Sequence, residues 1–303
     1  MNCSDVAFHP SSDAVDVAVH DFGGEGPLVV FCHATGFCAH AWAPLIEALK
    51  SQFRCVALDF RAHGLTELPA GVELVWRGMA EDLTAVIDAL SPGQPVLAVG
   101  HSMGASAIVM AETARPGLIE RAWLFEPILL RSGPVNRGEN APDIANAARS
   151  RRATFPSRAE AEARYASRPP LGLLDPRALS AYVEHGFENL ADGSVTLRCR
   201  PENEASVFEH HNSGAFDRVA ELRIPVIMAV GNHGQPPAQW VAEAASTATS
   251  EAVELIEMEG LSHFGPLESP DRLAVDIARF LGGVAGSAQV GETHDAVSEL
   301  GNR

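Results

Sequence analysis

Short apolar runs alternate with amphipathic stretches along the first 130 residues of the chain. The apolar runs are five or six residues long and predict buried strands at 27–32, 53–58, 95–100 and 121–125. The stretches between them carry apolar residues at helical spacing and predict helices at 42–50, 75–90 and 103–114. Continuous apolar strands separated by helices predict a parallel sheet with helices on both faces.

This alternation stops after residue 130 and resumes closer to the C-terminus. Residues 131–215 instead show Pro- and Arg-rich turns and two helical patterns, at 159–166 and 176–187. Beyond them, two further strands are predicted at 224–230 and 252–258, and two further helices at 237–245 and 271–281. The chain is therefore predicted to contain an α/β core in two parts, at 1–130 and 216–282. A mainly helical cap at 131–215 lies between these parts, and a flexible tail follows at 283–303.

Composition is that of an ordinary globular protein, and the charge limits the partners that we expect. Apolar residues make up 46% of the 303 residues and charged residues 20%. The net charge is −17, because 39 Asp and Glu face 22 Lys and Arg. A surface this acidic repels phosphate backbones and anionic membranes, so we expect neither nucleic acid nor a membrane as partner.

The sequence also favours a cytoplasmic location. Its first residues lack the basic and apolar regions of a secretory signal, and no apolar run approaches the roughly 20 residues that span a bilayer. The five cysteines lie mostly in apolar runs, which is typical of reduced thiols packed as small hydrophobic residues. We expect no cofactor and no metal, and the sequence does not predict an oligomeric state.

The most specific motif is Gly100-His101-Ser102-Met103-Gly104, a G-x-S-x-G sequence between a predicted strand and a predicted helix. A turn this tight needs glycines at its ends, and it strains the serine so that the hydroxyl projects from the sheet. The helix N-terminus, with the backbone N–H of Met103, would face a negative charge forming on a carbonyl attacked by Ser102. A chance pentapeptide is the alternative, and the strand–turn–helix context argues against it.

A serine hydroxyl needs a general base, and His263 is the candidate among the twelve histidines. It follows the last predicted strand in a loop bounded by Gly260 and Gly265, where it would meet Ser102 at the same edge of the sheet. The alternative is a loop histidine that caps the next helix.

The third group must accept a hydrogen bond from the other imidazole nitrogen. The loop after the strand at 224–230 contains no carboxylate, whereas Glu126 is a single carboxylate among apolar residues. A buried carboxylate without a partner is costly, so we predict that Glu126 binds His263. The alternatives are a salt bridge to a cap arginine or an exposed carboxylate at the strand end.

A second oxyanion donor is predicted just after the first core strand, in the segment His33–Phe37. There the backbone N–H of Thr35 would lie opposite that of Met103. The charged segment Asp59–Gly64 is expected to brace the loops under the site. Residues expected to contact the substrate lie around these groups and are His33, Gly36, Phe37, His101, Phe155 and Phe264.

Taken together, these segments resemble the α/β-hydrolase superfamily over about residues 15–282. The segment His33–Gly36 is similar to the family's H-G-x loop, with alanine for the usual glycine. Asp59–Gly64 resembles its D-x-R-G-H-G stretch, again with one alanine for glycine. Gly100–Gly104 matches the nucleophile elbow, and His263 matches the catalytic histidine. Glu126 departs from the commoner position of the acid and resembles members in which the acid follows the sixth strand.

The resemblance implies a mostly parallel, doubly wound sheet of the α/β-hydrolase type with a helical cap. It also implies hydrolysis of a carboxylic ester, lactone or thioester of a small molecule through an acyl-enzyme on Ser102. Haloalkane dehalogenases and epoxide hydrolases of the superfamily use an Asp nucleophile, so the serine argues against those activities. Two other functions stay open. One is non-hydrolytic chemistry on the same fold, by a lyase or a cofactor-free oxygenase, and the other is a catalytically silent receptor.

The cap is rich in arginine, with nine arginines and five acidic residues between Arg131 and Arg177. One interpretation is that these arginines steer an anionic substrate inward. The other, which we favour, is that they hold the cap against an acidic core, since charge clusters are usually paired or solvated. Glu209, His210 and His211 lack a matching metal-ligand set and are interpreted as a solvated face of the cap.

Overall fold

The computed structural model describes residues 5–131, 143–210, 214–231, 236–248 and 252–283. Eleven strands lie within these ranges, namely β1 (Asp5–Pro10), β2 (Asp16–Gly23), β3 (Leu28–Cys32), β4 (Arg54–Leu58), β5 (Val96–His101), β6 (Ile119–Phe125), β7 (Thr154–Phe155), β8 (Phe187–Asn189), β9 (Val195–Leu197), β10 (Val226–Gly231) and β11 (Val253–Met258). Eleven α-helices accompany them, namely α1 (Ala43–Leu49), α2 (Trp76–Leu90), α3 (Met103–Ala114), α4 (Ile144–Arg149), α5 (Arg158–Ala166), α6 (Pro176–His185), α7 (Pro201–Glu209), α8 (Ala215–Arg218), α9 (Pro236–Ala245), α10 (Gly265–Glu268) and α11 (Pro270–Leu281).

Eight strands form the main sheet in the order β1-β2-β4-β3-β5-β6-β10-β11. The pairs from β4 through β11 are parallel, and β2 is antiparallel to both β1 and β4. The carboxyl ends of β3, β5, β6, β10 and β11 therefore lie at one edge, where the loops that carry the predicted site residues meet. The predicted fold class, a mostly parallel and doubly wound α/β sheet, is confirmed.

Side chains of the central strands alternate between two apolar layers. Val30 of β3 belongs to the layer packed under α2 and α3, and its neighbour Phe31 belongs to the layer under α1 and α11. Both side chains are fully buried. Burial on both faces explains why these strands appear in the sequence as continuous apolar runs.

The N-terminal hairpin of β1 and β2 was not among the predicted elements. β1 lies at the edge of the sheet and is largely exposed, with the Phe8 side chain 54% accessible to solvent. An edge strand that faces solvent does not need the continuous apolar run on which the strand predictions relied.

The cap is inserted between β6 and β10, and its described part contains α4 to α7. It also contains a three-stranded antiparallel sheet in the order β7-β9-β8, which the prediction of a mainly helical cap did not include. These strands are two or three residues long, too short to leave a recognisable period in the sequence. Hydrogen bonds between the cap and the core include that of the Asp175 amide to the Leu267 carbonyl, at 2.8 Å, and that of Trp76 Nε1 to the Val207 carbonyl, at 2.9 Å.

Within the ranges described, no helix is both long and apolar enough to cross a bilayer. Cys32, Cys38, Cys55 and Cys199 are buried free thiols, while Cys3 falls outside the described residues. Apart from Gly283, the predicted tail at 283–303 also lies outside them, as does His211.

Candidate active site

Ser102 lies at the turn between β5 and α3 in a backbone conformation that non-glycine residues rarely adopt, with φ 55° and ψ −117°. The turn is closed by two glycines that have no room for a side chain. A Cβ at Gly100 would lie 2.6 Å from the Ala105 Cα, and one at Gly104 would collide with the Cys32 carbonyl of β3. The serine is therefore held in place by steric contacts on both sides of the turn.

The elbow is bonded directly to the strand that carries the acid. The Ser102 amide donates to the Phe125 carbonyl at the end of β6, with an N–O distance of 2.9 Å. Glu126, the next residue, has a positive φ of 41°, and its amide donates to the Ala229 carbonyl of β10 at 2.9 Å. The nucleophile and the acid are thus fixed to the ends of neighbouring strands.

Ser102, His263 and Glu126 form a continuous hydrogen-bonded chain. His263 Nδ1 lies 2.6 Å from Glu126 Oε2, and His263 Nε2 lies 3.1 Å from Ser102 Oγ. Because an ionised carboxylate only accepts hydrogen bonds, the imidazole proton belongs on Nδ1, and Nε2 accepts from the serine hydroxyl. This is the arrangement that lets the imidazole remove the serine proton.

Glu126 is 1% exposed, and both of its carboxylate oxygens have a partner. Oε2 faces His263, and Oε1 accepts from the Gly231 amide at 2.9 Å. The end of β10 therefore contributes an N–H to the site, although the loop that follows it contains no carboxylate. Both bonds hold the carboxylate in one orientation toward the imidazole.

Two histidines predicted to contact substrate lie beneath the site, each bonded to the main chain. His101 Nε2 donates to the His263 carbonyl at 2.7 Å, and burial together with the neighbouring His263 lowers the pKa of His101 well below its ordinary value. His33 Nδ1 donates to the Ala34 carbonyl at 2.8 Å, and His33 Nε2 accepts from the Phe60 amide at 3.1 Å. Burial, with His63 nearby, lowers the pKa of His33 to about 3, so it is neutral at pH 7. Direct contact of either histidine with substrate stays a prediction.

Asp59 of the charged segment 59–64 accepts hydrogen bonds from three directions. Its carboxylate lies 2.8 Å from His20 Nε2, 2.7 Å from the Ala39 amide and 2.9 Å from the Leu65 amide. Burial alone would raise the pKa of Asp59, but the hydrogen bond and charge of His20 lower it to about 2. Asp59 thus ties the loop after β3 to the loop after β4, a bracing position.

The two predicted oxyanion donors lie on the segments expected to supply them. Met103 is the first residue of α3, and Thr35 lies in the loop that follows β3. Within the part of the chain described here, neither backbone N–H donates a hydrogen bond to the protein. An N–H at a helix start has no partner inside the helix and is available for an anion.

The other predicted contact residues border the cap. The Phe37 ring lies 5.9 Å from that of Phe264 and 4.8 Å from that of Tyr182 in α6, measured between centroids. Phe155 is 1% exposed and packs against Tyr165, 5.7 Å away, deeper in the cap. The structure thus brings Phe37 and Phe264 together near His263, with Phe155 in the aromatic interior of the cap.

Gly36 contacts a partly buried ion pair of the cap that the sequence analysis did not identify. A Cβ at Gly36 would lie 2.7 Å from Glu204 Oε1, and its φ of 81° also favours glycine. Arg151 Nη1 donates to Glu204 Oε2 at 2.9 Å, and Arg151 Nη2 donates to the Tyr182 hydroxyl at 2.7 Å. The arginine excess of the cap was visible in the sequence, but the partner of Arg151 lies 53 residues away.

The cap arginines pair mainly with acidic residues of the cap itself, so most of them do not hold it against the core. Ion pairs within the cap include Arg149–Glu209, Arg151–Glu204, Arg152–Glu160 and Arg158–Glu184. Arg177 pairs with Asp271 of α11, and Arg131 pairs with Glu243 of α9. Within the described residues, Arg131 and Arg177 are the only arginines of the cap that form ion pairs with the core.

Among the described residues, no three His, Cys, Asp or Glu side chains come together in a way that could hold a metal ion. The groups that the structure brings together at this edge of the sheet are the hydroxyl of Ser102, the imidazole of His263 and the carboxylate of Glu126.

The chain is similar to known proteins in family and in fold. The alpha/beta hydrolase family matches residues 29–277. Protein phosphatase methylesterase 1 of Rattus norvegicus is 36% identical over 100 residues, which is 32% of this chain and 26% of that protein. A probable oxidoreductase, EphD, of Mycobacterium bovis (strain ATCC BAA-935 / AF2122/97) is 34% identical over 126 residues, which is 41% of this chain and 21% of that protein. The aligned parts thus span about a quarter of either relative's length.

Among solved structures, the crystal structure of E-2-(acetamidomethylene)succinate hydrolase superposes on the chain with a TM-score of 0.75 and 20% sequence identity. The superposition covers 92% of this chain and 100% of that one. At this identity the likeness concerns the fold.

Proposed function

The chain belongs to the alpha/beta hydrolase family, and from that premise we propose that it is a serine hydrolase acting through an acyl-enzyme on Ser102. Its substrate would be a carboxylic ester, lactone or thioester of a small molecule. The observation that carries the proposal is the hydrogen-bonded chain from Ser102 Oγ to His263 Nε2, at 3.1 Å, and from His263 Nδ1 to Glu126, at 2.6 Å.

In the first half of the reaction, Ser102 Oγ attacks the substrate carbonyl while His263 Nε2 takes the hydroxyl proton. The imidazolium that forms is stabilised by the carboxylate of Glu126. The carbonyl oxygen becomes an oxyanion facing the amides of Met103 and Thr35, and each such donor contributes roughly 10²–10³-fold to the rate. The tetrahedral intermediate then collapses, and His263 gives its proton to the departing alcohol or thiol.

In the second half, water enters opposite the acyl carbonyl and loses a proton to His263 Nε2. Its oxygen attacks the acyl-enzyme through a second oxyanion held by the same two amides. Collapse of that intermediate breaks the bond to Ser102 Oγ, which takes the proton back from His263. The products are a carboxylic acid and the restored serine.

The relatives support an ester-like substrate without identifying it. Protein phosphatase methylesterase 1 is named for cleavage of an ester, and its similarity is confined to about a third of this chain. The buried position of Glu126 adds further support, because a carboxylate that is 1% exposed and aimed at an imidazole is costly unless its charge is used.

The test is intact-mass analysis after treatment with a fluorophosphonate, which reacts with activated serines. We expect one adduct on the wild-type protein and none on Ser102→Ala, with turnover of activated esters reduced at least about 10⁴-fold in the variant. Ser106→Ala is the matched control. Ser106 is a buried serine one helical turn away, and its hydroxyl bonds to the carbonyls of Ser102 and Ile128, so its removal should leave labelling intact.

The outcomes separate the functions that the sequence left open. Labelling at Ser102 with hydrolysis of activated esters supports the hydrolase. Labelling without hydrolysis of any ester would favour a lyase or oxygenase on the same triad. Absence of an adduct on a protein shown to be folded would contradict the proposal and favour a ligand-binding receptor.

A further inference from the structure

The cap carries a partly open cavity of about 250 Å³ whose wall has four arginines and no acidic side chain. The arginines are Arg151, Arg152, Arg164 and Arg168. Such a concentration of one charge is unusual in a chain with a net charge of −17. A cationic wall attracts anions, and a concave wall strengthens the field inside it.

Two of the four arginines already have acidic partners, and two do not. Arg151 is paired with Glu204, and Arg152 with Glu160. Arg164, in the last turn of α5, and Arg168, just after that helix, form no ion pair with any described residue. Both line the cavity, and each guanidinium presents donors suited to bidentate binding of a carboxylate or phosphate.

The rest of the wall is apolar and aromatic. The Arg152 guanidinium lies 4.3 Å from the ring centroid of Phe155, and that of Arg151 lies 5.4 Å from the ring centroid of Tyr165. Leu171 adds an aliphatic side chain to the same wall. A ligand that fits both surfaces has an oxyanion at one end and an apolar or aromatic body at the other.

The cavity is distinct from the triad, because none of Ser102, Glu126 and His263 lines it. Ring centroids are 6.2 Å apart from Tyr165 to Tyr182, 4.8 Å from Tyr182 to Phe37 and 5.9 Å from Phe37 to Phe264. Phe264 in turn adjoins His263, so a series of ring contacts leads from Tyr165 in the cavity wall to the triad.

Arg151 nevertheless connects the cavity with the oxyanion loop. It lines the cavity, and its ion pair with Glu204 reaches the space next to Gly36, one residue from Thr35. An anion that draws Arg151 toward the cavity would weaken that pair and its hydrogen bond to Tyr182. Occupancy of the cavity would therefore be coupled to the loop that carries the proposed oxyanion donor.

We propose that this cavity is a binding site for a small organic oxyanion, a carboxylate or phosphate carried on an apolar or aromatic body, separate from the triad. The anion is either the acidic end of the substrate itself or a second small molecule. The chemistry that recognises it is the same in both cases, with Arg164 and Arg168 as the principal ligands.

Binding is tested without turnover, in the Ser102→Ala protein, by calorimetric titration with benzoate, phenyl phosphate and the neutral analogue benzamide. We expect both anions to bind and benzamide to bind at least tenfold more weakly. The double substitution Arg164→Gln, Arg168→Gln should weaken anion binding at least about tenfold. This is the low end of the loss in affinity expected when hydrogen bonds to charged groups are removed. Both side chains are exposed, so the variant should fold.

Arg200→Gln is the matched control, since it removes one positive charge from the cap at an exposed residue that does not line the cavity. It should change anion affinity less than twofold. Equal weakening by Arg200→Gln, an unchanged affinity in the double variant, or equal binding of benzamide would each overturn the proposal. Failure of serine labelling would not, because this titration needs no active nucleophile.

A kinetic arm on the active protein identifies the source of the anion, and this arm rests on the proposed hydrolase function. It compares an activated ester with a terminal carboxylate and the matching ester with a terminal carboxamide. If the anion belongs to the substrate, the double variant raises KM for the carboxylate ester alone at least about tenfold. If it is a second molecule, benzoate changes kcat for the neutral ester in the wild type and not in the double variant. Both results support the site, and absence of both overturns it.

Discussion

The triad in the core and the arginines of the cap differ in how deeply their charged groups are buried and in how far away in sequence their partners lie. Glu126 is 1% exposed, and its partners His263 and Gly231 lie 137 and 105 residues away in sequence. Arg177 of the cap is 53% exposed, and one of its partners, Asp175, lies two residues away. One region buries a charge where three strands end, and the other pairs charges largely at the surface.

This difference separates the parts of the molecule that fix the chemistry from those that can vary. A buried charge with two hydrogen-bond partners cannot move without leaving a polar group unsatisfied, so its geometry is nearly rigid. An exposed ion pair exchanges with water at little cost. The core therefore fixes the reacting groups, whereas the cap can change its charges, and with them its selectivity, without loss of the fold.

Glu126→Gln tests the buried side of this comparison and should give the largest effect. The amide keeps the size of the side chain but cannot stabilise an imidazolium, and it favours the wrong tautomer of His263. We expect kcat for an activated ester to fall by about 10⁴. Steady-state kinetics on protein shown to be folded by circular dichroism would measure it.

Glu112→Gln supplies the matched control for that experiment. Glu112 is also a buried glutamate, 4% exposed, but it accepts from the amides of Gly117 and Ile119 at the opposite end of β6. Its loss should lower stability and leave kcat within about twofold. If Glu112→Gln reduced kcat as strongly as Glu126→Gln, the loss would reflect general damage to the core.

The same contrast explains which parts of the site could be predicted from sequence. The elbow was predictable because its geometry is local: a strand, a turn whose glycines lack room for a Cβ, and a helix. Glu126 was predictable by elimination, since a lone carboxylate in an apolar run needs a partner. The structure places it at hydrogen-bonding distance from His263.

Features that depend on residues far apart in sequence could not be predicted. The bond from His101 to the His263 carbonyl spans 162 residues, and no local pattern marks it. The Arg151–Glu204 pair likewise requires knowing how the short strands of the cap fold together. An excess of arginine is visible in the sequence, but which arginines are left without partners depends on the fold.

A contact between two histidines lies where the two regions meet. His40, between β3 and α1, stacks on His185 at the end of α6, with ring centroids 3.5 Å apart. Burial, with His185 and His20 nearby, lowers the pKa of His40 to about 3, although Asp59 opposes the shift. Burial also lowers the pKa of His185, against the opposing charge of Glu184.

Acid should therefore loosen this contact. A histidine with a lowered pKa stays neutral in the fold, while the unfolded chain binds a proton near pH 6.5. Its stabilising contribution is present above that pH and is lost as the pH falls toward the folded value, by at most about 1.4 kcal/mol per pH unit for each proton. We expect the melting temperature to fall between pH 7 and pH 5.

His40→Phe isolates this contribution, because phenylalanine can still stack on His185 but takes up no proton. The variant should lose less stability than the wild type over the same pH range, as measured by urea unfolding. His210→Gln, at an exposed histidine of the cap outside this contact, is the control. An identical pH dependence in His40→Phe and wild type would mean that other buried histidines, such as His33 or His101, carry the effect.

Arg177→Gln tests the exposed side of the comparison and should give the smallest effect. Arg177 Nη2 lies 2.8 Å from both Asp175 and Asp271, and the Asp271 side chain is 69% exposed. Such a pair contributes at most about 1 kcal/mol and is weakened by salt, so the melting temperature should fall by no more than about 4 °C, and by less in 0.5 M NaCl. kcat should not change, because no reacting group touches Arg177. A larger loss that persists in salt would mean that the cap is held on the core by this ion pair, and that its charges fix the structure as firmly as the buried carboxylate does.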